Sequence, residues 1–254
     1  MSAIRYELAR LRTVRTTWLA AFGVLALGAA ATWVEARDFN AVPARAGEAA
    51  QLITSGAGAS TPLAVMAVVF LAVRSCTREH RAVSLPSLLI ALPRRTRSLV
   101  GKALVTALVA AGVAVAGLVV NASVAAAEFG PGFQSLVWDQ VPAPRLLAGY
   151  VGYVVLAALF GLGVGVVTRG SAAAAVALVA LPLAVEPLAA RAAELAVPAP
   201  YRDWVRYLPF NAADRMLAIG GGGGLSPTAG ALTFGAWTLA ALLLAVVVFA
   251  RRDA

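Results

Sequence analysis

Apolar and polar positions in this 254-residue chain do not alternate; they fall into blocks. Six runs of about 17 to 25 residues are almost free of charged side chains, the length a helix needs to cross about 30 Å of hydrocarbon at 1.5 Å per residue. They are Thr17 to Val34, Gly56 to Val73, Ala103 to Ala127, Leu146 to Thr168, Ser171 to about Ala190, and Thr228 to Ala250. The fifth run contains Pro182, Glu186 and Pro187. It predicts a helix that kinks or stops short, a break tolerated only where neighbours or water satisfy the freed carbonyls. The pattern predicts an all-α membrane protein, one six-span domain covering residues 1–254.

Composition agrees. Hydrophobic residues make up 61 % of the chain and charged residues 13 %, against about 25 % charged in soluble domains, and the mean hydropathy is +0.83. A water-soluble fold lacks the charge to cover this much apolar surface, and the same numbers exclude disorder. The net charge of +9 would suggest nucleic acid if the cations formed a patch interleaved with aromatics. Here they flank the apolar runs, so the partner is the membrane surface and not nucleic acid. One set of segments carries Arg5, Arg10, Arg12, Arg15, Arg74, Arg78, Arg81, Arg94, Arg95, Arg97, Lys102, Arg169, Arg251 and Arg252; the opposite set carries seven Arg and nine of the twelve acidic residues. The positive-inside rule puts the first set, and with it both termini, in the cytoplasm, as an even number of spans requires. A single Lys against 20 Arg, with abundant Ala, is the usage of a high-GC bacterial genome, which makes the bacterial plasma membrane the expected location of this multi-pass chain.

Before the first span, Ile4, Leu8 and Leu11 recur at helical spacing among Arg5, Arg10 and Arg12. This predicts an amphipathic helix lying at the interface; a cleavable signal peptide and a solvated basic tail are the competing readings. In the second connection, Thr77 to Lys102, Ser84 can cap a short helix with Pro86 in its first turn, and Leu85, Leu88, Leu89 and Leu92 form an apolar face before Pro93. At about nine residues it is too short to cross. With Arg78, Glu79 and Arg81 before it and Arg94, Arg95, Arg97 and Lys102 after it, the helix lies at the cytoplasmic surface, open to a soluble partner. A reading as topology alone has these cations fix orientation and snorkel to headgroups.

The order of these parts resembles the membrane subunit of type 2 ATP-binding-cassette exporters: an interfacial N-terminal helix, six spans, a Glu-containing loop after the second span, a short helix, and the Pro-Arg-Arg-x-Arg-x(4)-Lys lead into the third. Near the C-terminus, YLPFNAADRML (Tyr207 to Leu217) and a last span ending FARRDA (Phe249 to Ala254) are similar to that family's external helical segment and final helix. The resemblance implies a permease domain paired with a second permease copy or a paralogue and driven by a separate ATPase subunit. It implies that Glu79 and the helix through Leu92 form the ATPase-coupling segment and that Arg94, Arg95, Arg97 and Lys102 mark the return to the membrane. It also implies that the external helices, with Tyr201, Trp204 and Tyr207 among them, cap the path.

Read from the residues alone, Tyr201, Trp204 and Tyr207 at three-residue spacing are interfacial anchors, and Asn211 with Asp214 three residues later resembles a helix start. The Gly220 to Gly224 run lacks the Lys-Ser/Thr ending of a phosphate loop and reads as a linker. Gly161, Gly163 and Gly165 allow close helix approach within the chain or at a dimer seam, and Asn121 offers an interhelical hydrogen bond. Enzyme chemistry finds no constellation: His80 is the only His and Cys76 the only Cys, no His-Glu-x-x-His occurs, and no P-loop is present. The chain is expected to be neither an enzyme nor a cofactor binder. Glu128 and Glu186 are expected at outer span ends, solvated, which argues against proton coupling. A non-transporting six-span protein, such as an immunity, sensor or accessory subunit, shares the outline.

The topology is directly measurable. A fluorescent reporter that matures only in the cytoplasm is expected to be bright when fused after Ala254 and dark when inserted at Asp203; the reverse pattern would invert the assignment.

Overall fold

A computed structural model of the chain describes residues 15–38, 53–54, 95–130, 133, 143–168, 171–218 and 224–251. Among them every element is helical: α1 (Arg15–Asp38), α2 (Arg95–Phe129), α3 (Ala143–Thr168), α4 (Ser171–Ala180), a π-helical segment (Leu181–Val185), α5 (Glu186–Ala196), a 3-10 helix (Ala199–Tyr207), α6 (Pro209–Asp214), a 3-10 turn (Arg215–Leu217) and α7 (Pro227–Arg251). Among the described residues four stretches are long and apolar enough to cross a membrane: Leu99–Phe129, Pro144–Thr168, Val176–Ala196 and Pro227–Val248. They correspond to the last four of the six apolar runs. The first run is the core of α1, and Gly56 to Val73 lies outside the described residues, as do the segment before Arg15 and the Thr77 to Pro93 stretch.

Helix α3 is the hub. Of its apolar window 56 % is buried, against 22 %, 22 % and 17 % for the other three, because α2, α4, α7 and the 3-10 turn all pack on it. Small residues permit this. A Cβ on Gly163 would stand 2.8 Å from the carbonyl carbon of Ala241 on α7, and one on Gly149 would stand 2.7 Å from the carbonyl oxygen of Met216. The glycine spacing therefore serves packing within the chain, where backbone meets backbone. At one end Leu162, Val166 and Ala245 form a core with Leu99 and Ala103 against it; at the other, Tyr153, Phe160, Phe210 and Phe234 pack ring on ring with centroids 5.8 to 6.1 Å apart. Exposed apolar side chains on the outer faces of the bundle, such as Phe22, Leu108, Leu183 and Leu232, are the surface a bilayer would cover.

Helix ends follow local chemistry. Gly130, at φ 76°, closes α2, its N–H bonded to Ala126 O at 3.0 Å; the left-handed conformation is cheap only for Gly. Ser226 caps α7 by accepting from the Ala229 amide at 3.2 Å, with Pro227 at the first helical position. Helix α2 has 35 residues, about 52 Å, more than a bilayer core needs. Its first turns therefore include Arg95 and Arg97: the basic cluster begins the membrane helix itself instead of preceding a span starting at Ala103. Leu25 lies over Gly117, and Gly28 over Asn121, so contacts advance along α1 and α2 in the same sense and the two helices run parallel.

The fifth run departs from expectation in its length. Its helix does not end near Ala190, although the regular α-helical pattern gives way at Pro182. The missing Pro182 N–H is absorbed by a π-helical turn in which the Glu186 N–H reaches back to Leu181 O, and the helical run continues to Ala196.

Glycine packing makes a differential prediction. Gly149→Ala and Gly163→Ala, both pressed against backbone, are expected to destabilise the protein by about 1–3 kcal/mol. The same change at Gly23, Gly112 or Gly235, where a Cβ meets nothing within 4 Å, should stabilise by about 0.5–1 kcal/mol. Unfolding of the five variants in detergent checks the contrast.

Candidate functional site

After Ala196 the chain turns back into the bundle. The 3-10 helix, about 18 Å long at 2 Å per residue, leads to Tyr207, whose carbonyl accepts from Trp237 Nε1 at 2.9 Å. From there α6 and the following turn climb along α3 and α7. The Phe210 ring lies against Phe160 and Phe234, a Cβ on Gly230 would meet Ala212 O at 2.5 Å, Tyr153 Oη donates to Asp214 Oδ1 at 3.0 Å, and Arg145 Nη2 donates to Ala218 O at 2.8 Å. Tyr153, Glu186 and Trp237 each lie ten residues inside the Ala143, Ala196 and Pro227 ends of their helical runs. The hairpin of residues 199–217 thus reaches about 15 Å into the bundle.

Such a dip leaves the first amides of α6 without water. Leu208 precedes the helix without a side-chain cap and Pro209 needs none, which leaves the Phe210 and Asn211 N–H groups. Both donate to one carboxylate, Glu186, at 2.8 Å to Oε1 and 2.7 Å to Oε2. Glu186 is 2 % exposed. This corrects its expected place at a solvated span end, since the span runs two turns further than its charge pattern suggested. It also corrects the reading of Asn211 as the start of a helix capped locally: Asn211 is the third residue of α6, its own Nδ2 donates to Val205 O at 3.2 Å, and the cap comes from another helix 25 residues away in sequence.

Asp214 ends α6 against α3. Burial pushes its carboxyl from 3.8 up to about 7; the Tyr153 hydrogen bond opposes the rise, the nearby Glu186 charge adds to it, and Arg215 opposes it. The Arg215 guanidinium itself lies against Gly224.

Of the residues singled out in sequence, Tyr201, Trp204 and Tyr207 do come together. With three residues per turn, the 3-10 helix aligns them in one stripe, 71 %, 46 % and 45 % exposed. Arg206 Nη2 pairs with Asp203 Oδ2 at 2.8 Å and its guanidinium sits 5.3 Å from the Tyr207 ring centroid. Lys102 is buried, 5 % exposed, and so does not reach out to headgroups; Arg95 and Arg97 lie in the first turn of α2. Asn121 does bond across elements, Nδ2 to Ile53 O at 3.2 Å. Arg78, Glu79, Arg81, Leu85, Leu88, Leu89, Leu92 and Arg94 lie outside the described residues. Among those described, no group of three or more His, Cys, Asp or Glu could hold a metal ion. Sequence reasoning missed Glu186 and Asp214 as partners of one short helix. A signal was present: an acidic residue between two prolines inside an apolar run has to be matched by donors brought from elsewhere. No protein-family model matches the chain, and no curated protein is significantly similar to it.

The Asp214 shift has a definite pH sign. Between about pH 4 and 7 the folded protein holds a proton that the unfolded chain has released, so stability should fall as pH rises through that window and stay level below it. Thermal unfolding of wild type and Asp214→Asn across the window is the check: the variant, which has no proton to lose at this position, is expected to show a shallower fall than wild type.

Proposed function

We infer that the chain is the permease subunit of an ATP-binding-cassette exporter, a six-span domain with cytoplasmic termini that acts as a pair and takes its energy from a separate ATPase subunit. The observation that carries the reading is the hairpin of residues 199–217. A chain with no P-loop or catalytic constellation of its own builds, at one end of an apolar helical bundle, a plug that dips about 15 Å inward and is held there by the side chains of Tyr153, Glu186 and Trp237. A plug of this kind suits a protein that opens a path. The opposite end bears the basic start of α2. Parallel α1 and α2 support six spans, because the connection from Asp38 to Arg95 starts at one end of the bundle and finishes at the other, and Gly56 to Val73 is its apolar run.

In this reading the ATPase docks on Arg78, Glu79, Arg81, Leu85, Leu88, Leu89 and Leu92. Closure of the ATPase dimer pushes that segment, the spans move as rigid bodies, and the path opens between two permease copies toward the outside of the bacterial plasma membrane. Tyr201, at the rim end of the exposed stripe with Trp204 and Tyr207, anchors the descending arm of the plug at the lipid interface.

Co-purification with the ATP-binding protein encoded beside it is the first test. In the reconstituted complex, Glu79→Ala is expected to preserve membrane insertion and assembly while lowering substrate-stimulated ATP hydrolysis about tenfold, the loss of roughly one strong charge-assisted contact. Unchanged stimulation would remove the coupling role. Failure to bind any ATPase would favour a non-transporting immunity, sensor or accessory subunit.

A further inference from the structure

Residues three apart eclipse in a 3-10 helix, so it has three faces. In Ala199–Tyr207 one face is Tyr201, Trp204 and Tyr207, all exposed. The next is Asp203 and Arg206, paired at 2.8 Å with their side chains 68 % and 34 % exposed. The third carries Arg202 and Val205, both half-buried, with Arg202 Nε bonded to Val197 O at 2.6 Å. The aromatic surface does not stop at the hairpin: Trp237 of α7, 45 % exposed, reaches the Tyr207 carbonyl. Exposed aromatic side chains thus follow one another from the rim to about 15 Å inside it.

The flanks of this surface are apolar almost to the rim. On α5, which packs against the 3-10 helix, Leu195 is 90 % exposed one residue before the helix ends; on α7, Leu232 is 76 % exposed five residues inside Pro227, about 8 Å deep. Counted back from Tyr207 at 2 Å per residue, Arg206 lies about 13 Å and Asp203 about 7 Å inside the same rim. An exposed charge is costly against hydrocarbon, so the ion pair needs a polar neighbour at a depth where the flanks need an apolar one. Water alone meets the first demand and leaves the aromatic faces wetted. An amphiphile meets both.

We propose that the face of the hairpin between α5 and α7 binds the headgroup of a zwitterionic phospholipid from the adjoining leaflet. Charge complementarity selects this occupant. Arg206 has five N–H donors and gives one to Asp203 Oδ2; its guanidinium, 5.3 Å from the Tyr207 ring centroid, takes the phosphate. The ammonium group meets Asp203 and the aromatic faces of Tyr201 and Trp204, which attract a cation. Asp203 and Arg206 stand one 3-10 turn apart, about 6 Å, and the two charges of the headgroup are likewise separated by a short link. The acyl chains continue inward over Leu188 on one flank, 67 % exposed, and on the other over Leu244, 52 % exposed and two turns beyond Trp237 on the same face of α7. The headgroup is thereby held below the level of its neighbours. This site does not rest on the transport reading, since it concerns the lipid face of the hairpin whatever the hairpin guards.

The test titrates the full chain in decyl maltoside with dihexanoyl phosphatidylcholine and, separately, with dihexanoyl phosphatidylglycerol, which shares the phosphate and the chains but lacks the ammonium group. Tryptophan emission reports binding, and Trp204→Phe, which keeps a ring, identifies the residue that responds. Wild type is expected to bind phosphatidylcholine saturably and about tenfold more tightly than phosphatidylglycerol, the effect of one partly desolvated cation on aromatic faces. Asp203→Asn should weaken phosphatidylcholine binding and leave phosphatidylglycerol level or tighter, whereas Arg206→Gln should weaken both about tenfold. A hairpin that had merely come loose would lose both lipids together in Asp203→Asn. That outcome would overturn the site, as would a response that never saturates, equal wild-type affinity for the two lipids, or dimers in which a second copy covers the stripe and the emission no longer responds.

Discussion

Two backbone amides, those of Phe210 and Asn211, set the terms for this end of the protein. A helix end withdrawn from water keeps its hydrogen-bonding demand, and an unsatisfied buried amide costs about 1–3 kcal/mol. The Glu186 carboxylate meets both demands at once. The solution binds two otherwise separate choices together: a carboxylate can be buried in an apolar helix because donors are waiting, and a short helix can dip into the bundle because an acceptor is waiting. Neither would stand alone.

That pairing explains why the fifth helical run is built as it is. Pro182 and Pro187 flank Glu186 and remove backbone donors on either side, and the π-helical turn carries the chain past the first of them without ending it. A straight α-helix would project residue 186 along a fixed direction; the wider turn re-aims it. On the far side, Gly149 and Gly230 let the backbone of residues 212–216 lie against α3 and α7 at distances that any Cβ would forbid. The hairpin is thus held by a carboxylate on one side and by the absence of side chains on two others.

The two ends of the bundle carry different chemistry. One holds the start of α2 with its arginines and a small aliphatic core of Leu162, Val166 and Ala245; the other holds four packed aromatic rings, two carboxylates and a tyrosine hydroxyl. Aliphatic packing is indifferent to proton concentration, whereas the second end contains groups whose charge depends on it. The hairpin bonds to α3 through Tyr153 and Arg145, and α2, α4 and α7 pack on that same helix.

Much of this was legible in the residues themselves. Apolar blocks of spanning length, their flanking arginines and the helical character of every described element follow from local composition, because a continuous apolar run of this length satisfies its backbone hydrogen bonds in a bilayer by forming a helix. The alignment of Tyr201, Trp204 and Tyr207 on one stripe needed only their spacing and a turn of three residues. The end of the fifth run, the depth of the hairpin, and the roles of Glu186 and Asp214 were not legible. The fifth run reads as ending at about Ala190 although Arg191 and Glu194 are exposed residues of a helix that continues to Ala196, and Asn211 to Asp214 read as a helix start although the acceptor for its amides is 25 residues away. Periodicity and charge report what a segment does by itself. Which donor meets which acceptor across segments depends on where packing brings them, and only the tertiary structure decides that.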